Sequence, residues 1–138
     1  MTGLASLYKA VSSRLSGGGN WGTRVYADVA PSGVETPYVV YFLVGGGDRL
    51  ISPVHHARYV LTVKCVSNSP TSAITGAAHI QTLLRDQGAQ EGAGMTGDDD
   101  WWILTVTQDR VVSITEMEQN SDAVFHHGHQ YQFMMEAK

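Results

Sequence analysis

Charge is scarce in this chain and basic charge is the scarcer sign: 16% of the 138 residues are charged, with 9 Lys or Arg against 13 Asp or Glu and a formal net charge of -4. A nucleic-acid-binding domain would carry clustered Lys and Arg to displace counterions, so the balance argues against that class. Cysteine is nearly absent. The one thiol, Cys65, has no partner within the chain, so no internal disulfide forms and a reducing interior is expected. No window approaches about 18 consecutive apolar residues, and Met1 to Leu15 is too polar for a signal peptide, which predicts a soluble protein made in a cytoplasm, with no membrane partner. No internal repeat is present. The length is that of one domain spanning residues 1–138, enough to bury roughly two thirds of the unfolded surface around one core.

What the chain does have is periodicity. Leu4, Leu7, Tyr8, Val11 and Leu15 recur at intervals of three and four, predicting a helix with Thr2 as N-cap and Lys9, Ser12, Ser13 and Arg14 outward. Gly17-Gly18-Gly19 stops it and reads as a mobile loop. Thr23–Val29 is a short strand candidate. Pro31-Ser32-Gly33 is a turn, and Pro37 opens the apolar run Tyr38–Val44, which reads as a central strand buried on both faces. Gly45-Gly46-Gly47-Asp48 ends that run, leaving Arg49–Ala57 as an extended loop or long hairpin tip.

Arg58–Val66 alternates, with Tyr59, Leu61, Val63 and Cys65 on one face, and predicts a strand antiparallel to Tyr38–Val44. Ser69-Pro70 caps a second helix over Pro70–Gln87, whose apolar face comprises Ala73, Ile74, Ala77, Ala78, Ile80, Leu83 and Leu84. Gly88–Asp100 reads as a long loop. Trp101–Thr107 and Arg110–Met117 are strands that join as one if bent around Gln108-Asp109. After a polar stretch from Glu118 to Asp122, the last strand sets His127, His129, Tyr131, Phe133 and Met135 on one face. The order helix, strands, helix, strands argues an α+β fold, a mainly antiparallel sheet of about four to five strands with two helices packed on it.

Residues that carry chemistry are sparse. His126, His127 and His129, with His55-His56, invite a metal reading in which His127 and His129 share a strand face and Asp98, Asp99 or Asp100 supplies a third ligand. The spacing lacks a His-Glu-x-x-His or cysteine-pair signature, and adaptable imidazoles at a surface or subunit contact explain it more simply. Asp98-Asp99-Asp100 lacks the interleaved oxygens of a calcium loop and reads as a solvated acidic turn. Neither glycine triplet has the Lys and Ser or Thr of a phosphate loop; both read as flexible connections. Cys65 sits in an apolar alternation as a small core residue rather than a nucleophile. Glu116 and Glu118 would share a strand face as edge charges. Of Trp101-Trp102, adjacent in a strand, one indole should fill the core and the other reach an interface. No catalytic residue, cofactor site or metal site is assigned.

One stretch resembles a family. After a helix ending in glycines, Arg24-Val25-Tyr26, then Asp28-Val29-Ala30-Pro31, then the proline-led strand Pro37-Tyr38-Val39-Val40-Tyr41 resemble the opening of the tail-completion or tail-terminator proteins of long-tailed phages. Tyr59–Val66, the long helix from Pro70 and the entry through His127-Gly128 to the strand Tyr131–Met135 follow in the same order. The resemblance implies a non-enzymatic virion subunit that forms a homo-oligomeric, hexameric ring on the tail tube. Its partners are the tube protein and the head connector or neck, with DNA passing through the lumen without sequence-specific binding. Ring-contact or docking candidates are Arg49, Leu50, His55, His56, Asp98, Asp99, Asp100, Trp101, His126 and His127. A head-closure or other neck protein is the nearest rival. From other classes, a small metal-binding protein or enzyme would use His127 and His129, and a ligand-binding domain would need a deep apolar pocket.

Overall fold

In the computed structural model of the protein, which describes residues 2–51, 54–84, 97, 100–117 and 123–138, helix α1 spans Gly3–Leu15. The Thr2 hydroxyl accepts from the Ala5 N–H at 3.2 Å, satisfying one of the donors that a helix start leaves open. Leu7, Val11 and Leu15 are fully buried, as the spacing predicts. The glycine run beyond is a closed turn, in place of the mobile loop expected. Gly17 N–H donates to the Gly22 carbonyl at 2.7 Å and Gly18 N–H to that of Leu15 at 3.0 Å. Trp21 fills the turn, wholly buried, and its indole Nε1–H donates to the Leu15 carbonyl at 2.7 Å. The acceptor orphaned at the helix end thus becomes the polar anchor of a large apolar side chain.

Five strands form one sheet in the order β1-β2-β3-β5-β4, with β1 at Val25–Ala27, β2 at Tyr38–Ile51, β3 at Val54–Ser67, β4 at Trp101–Met117 and β5 at Ala123–Ala137. Among the described strands only the β1–β2 pairing is parallel. Helix α2, Pro70–Leu84, begins where the Ser69 hydroxyl accepts from the Ser72 N–H at 3.4 Å. The predicted continuation to Gln87, nearly all of the Gly88–Asp100 loop and the Glu118–Asp122 stretch lie outside the described residues.

The glycine triplet in β2 does not end the strand. The register of β2 against β3 shifts between Leu43 and Gly45, one residue bulges out, and pairing resumes from Gly45↔Val60 to Ile51↔Val54. Gly46 has a φ of 105° and lies so close to β3 that a Cβ would collide with the Arg58 carbonyl, so no other residue passes the bulge unstrained. Of the two readings of Arg49–Ala57, extended loop or long hairpin tip, the structure shows the hairpin, its paired strands reaching Ile51 and Val54. The two halves of β4 are one strand, with a register shift between Gln108 and Val111 where the bend was expected.

Both helices pack on one face of the sheet. Leu7, Val11, Leu15, Ile80 and Leu84 join Leu61, Val63, Cys65, Tyr131, Phe133 and Met135 in one buried cluster. Gly76 of α2 lies directly over Cys65, where any Cβ would meet the sulfur. On α2 the apolar face is narrower than predicted: Ile74 is 55% exposed and Ala78 is exposed too. Nor is β2 buried on both faces throughout. Val39, Val40 and Tyr41 are buried, but Leu43 and Val44 emerge beyond the helices.

Two expectations follow. Trp21→Ala should cost about 3–5 kcal/mol in urea unfolding, through the emptied volume and the lost indole hydrogen bond. Burial pushes the Cys65 thiol up to about 12, so a thiol reagent at pH 8 should label it only at the rate of global unfolding.

Candidate assembly surface

The candidate residues come together by strand register. Arg49 pairs with His56 and Leu50 with His55 at the far end of the β2–β3 hairpin. His56 faces Glu136 on β5, which in turn faces Trp102 on β4. Asp100 precedes that strand, is exposed, and accepts the Lys138 N–H at 2.9 Å. One end of the sheet therefore carries Arg49, Leu50, His55, His56, Asp100 and the Trp101-Trp102 pair. His126 and His127 pair with Val66 and Cys65 at the other end, nine residues of β5 away from Glu136 and so about 30 Å. Asp98 and Asp99 lie outside the described residues. The sequence names these residues but not this partition, which depends on which strands pair.

The two indoles separate as alternation demands. Trp101 is 6% exposed and belongs to the core; Trp102 is 53% exposed and carries the Lys138 ammonium 3.9 Å from its ring centroid. Trp102, rather than Trp101, is thus the exposed indole of the pair.

The histidines do not converge on a metal geometry. His127 and His129 sit on the helix-side face with ring centroids 6.2 Å apart, and Asp100 is at the distant end of the sheet. Among the described residues no group of three or more His, Cys, Asp or Glu is placed to hold a metal ion. His126 lies on the opposite face, its Nε2 3.4 Å from the Glu116 carboxylate but without hydrogen-bond geometry at either ring nitrogen. Burial lowers its pKa from the usual value, with nearby Lys64 adding to the effect and Glu116 opposing it. His129, nine-tenths buried, is lowered by burial and by His127.

The face turned away from the helices offers two hollows. One, of about 570 Å³, has Gly45–Gly47 of β2 and Asp109-Arg110 of β4 as walls and Arg58, Val60 and Gln130 among its lining. The other, about 620 Å³, lies under the turn from Ala30 to Thr36, beside Tyr38, Asn68 and Val124. Neither is the deep apolar pocket of a small-molecule site. The turn is held from the helix side. Asp28, at a left-handed φ of 63°, donates its N–H to the Tyr41 carbonyl at 2.8 Å and accepts the Tyr8 hydroxyl at 3.1 Å. The Tyr8 oxygen accepts the Leu43 N–H at 3.0 Å, and the Tyr41 hydroxyl donates to the Tyr8 carbonyl at 3.2 Å. Sequence inspection singles out the Asp28-Val29-Ala30-Pro31 words but not the two tyrosines that fasten them.

The exposed apolar residues concentrate on β4. Trp102, Leu104, Val111, Ile114 and Met117 are 43–68% exposed on a 17-residue strand that has no neighbour on its outer side among the described residues. A long edge of this kind is a pairing surface unless something covers it.

No protein-family model and no curated protein matches the chain. A solved structure described as "Virion of native gene transfer agent (GTA) particle" contains a chain of the same fold. The match has a TM-score of 0.59 and 14% identity, and covers 98% of this chain and 95% of that one.

The histidine environments predict an acid-side loss of stability. Their folded-state values lie below the ordinary 6.5, so the unfolded chain binds more protons as pH falls through that range. Stability is full above pH 6.5 and declines as pH falls through the folded values. In urea unfolding at pH 7.5 and pH 5.5, His126→Phe should narrow the difference between the two pH values, with His129 leaving a residue of it.

Proposed function

We propose that this chain is a structural subunit of a phage-type virion and, within it, the tail terminator: a ring that caps the tail tube, stops its growth and joins it to the head connector. The observation that carries the reading is the fold match over nearly the full length of both chains, the other belonging to a gene transfer agent virion. The resemblance of Arg24–Tyr41 to the opening of the tail-terminator family gives the finer assignment.

Terminating a polymer requires two unlike surfaces, one matching the last tube subunit and one that no tube subunit matches. The sheet has two unlike ends. We assign the Arg49, Leu50, His55, His56, Asp100 and Trp102 end to one axial partner and the His126 and His127 end to the other. A closed hexameric ring needs a further pair of different patches between neighbours. The net charge of -4 suits a lumen wall that repels phosphate and lets DNA pass without adhering.

The test is purified protein mixed with tail tubes assembled without a terminator, read by light scattering and negative-stain imaging. Rings seated at one tube end, with tube length made uniform, are expected. A monomer that ignores tubes overturns the reading, and binding to isolated necks alone moves the chain to head closure.

A further inference from the structure

The geometry points to a binding site for a short acidic peptide segment in the hollow of about 570 Å³ on the open face, its carboxylates held by Arg58 and Arg110; the site does not depend on the terminator reading. The cations of the chain single it out. Among the described residues, Arg14 and Arg24 donate to the Leu83 and Pro37 carbonyls, while Lys64 lies over the Phe42 ring and Lys138 over that of Trp102. Lys9 stands exposed on α1. The cations left, Arg58 and Arg110, are exposed, come from different strands and line one hollow. Strand register explains how they meet. Arg58 of β3 pairs with Met134 of β5, and the β4 shift between Gln108↔Tyr131 and Val111↔His129 sets Arg110 beside Gln130, farther along β5. The two backbones are then roughly 16 Å apart, two strand spacings across and four residues along. Two long side chains reach into that gap from either end.

An independent observation comes from the wall on β2. Gly45 and Gly47 pair with Val60 and Arg58 and so share the face of the hollow. Neither has a positive φ, and a Cβ at either would meet no atom within 4 Å. The sheet therefore makes no demand for glycine there, unlike at Gly46, and glycine weakens a strand. What the two missing side chains preserve is the hollow itself. Its lining then selects the occupant. Guanidinium forks match carboxylates bidentately, and beside them stand Asp109 and Gln130. A peptide suits all four, since its amide N–H groups donate to Asp109 and its carbonyls accept from the Gln130 amide. A nucleic-acid backbone offers phosphate oxygens and would set one against the Asp109 carboxylate. Val44 and Val60 give an aliphatic residue between two acids something to pack on.

The experiment titrates the full isotope-labelled chain with an acetylated and amidated Gly-Glu-Val-Glu-Gly peptide. The magnetic-resonance signals read are the backbone amides of Gly45 and Gly47 and the Nε–H groups of Arg58 and Arg110. Saturable shifts at these groups are expected with this peptide and not with Gly-Gln-Val-Gln-Gly. Gly47→Val, which fills the hollow without touching its charge, should weaken binding by about tenfold or more. It should leave the urea midpoint unchanged or higher, because valine suits a strand and finds open space there. Arg58→Gln with Arg110→Gln should remove the saturable response. Absence of saturable shifts at these groups, or binding undiminished in Gly47→Val or in the double arginine variant, overturns the proposal. So does a thymidine oligonucleotide that moves the same signals where the peptide does not, which would make the hollow a phosphate site.

Discussion

The contact of Gly76 with Cys65 sets how closely α2 lies on the sheet, and the rest of the core depends on that spacing. A side chain at position 76 would lift the helix off β3 by its own thickness, and Ile80 and Leu84 would no longer reach the row Leu61, Val63 and Tyr131, all fully buried. Because interiors are packed near crystal density, such a gap is not absorbed elsewhere. α1 is tied to the same spacing, since Arg14 Nε donates to the Leu83 carbonyl at 2.9 Å and Trp21 closes the turn behind both helices. The two helices act as one lid, and they cover one face of the sheet.

That one-sidedness decides what the surface is for. The helix layer covers Trp101 and Val106 of β4 but not its second half, so Val111 and Met117, on the same face as buried Val106 and Phe133, stand 62% and 68% exposed. The open face mixes polar residues such as Arg58, Lys64 and Gln130 with apolar ones such as Val40 and Val66 and carries two hollows, and its His126 lies 3.4 Å from the Glu116 carboxylate without hydrogen-bond geometry. What this arrangement concentrates is unpaired backbone and exposed aliphatic side chains along strand edges, the chemistry of association.

Periodicity made the helices, the faces of β3 and β5 and the bend in β4 legible, because each depends on which residues alternate and nothing more. The glycine triplets misled for a physical reason. Glycine punctuates loops by default, yet at Gly46 it serves a bulge pressed against Arg58, a partner on another strand, and at Gly17–Gly19 a turn wrapped on Trp21, whose burial only the packed helices decide. The parallel β1–β2 pairing and the position of β5 between β3 and β4 were hidden likewise, since strand order is a property of long-range contacts. The candidate residues could be named from their types, but their division between two ends of the sheet required the register.

An exposed edge of this length has to be managed, or copies of the chain would aggregate on meeting. The chain does so with irregularity. β4 shifts register between Ile103 and Thr105 and again between Gln108 and Val111, and β2 shifts between Leu43 and Gly45, so neither edge is a straight template for an arbitrary strand. The second β4 shift holds Asp109-Arg110, setting two charges where an indiscriminate partner would have to desolvate them without compensation. Charge is sparse, 16% of the chain, so each charge set on an edge weighs heavily in which strand can dock there.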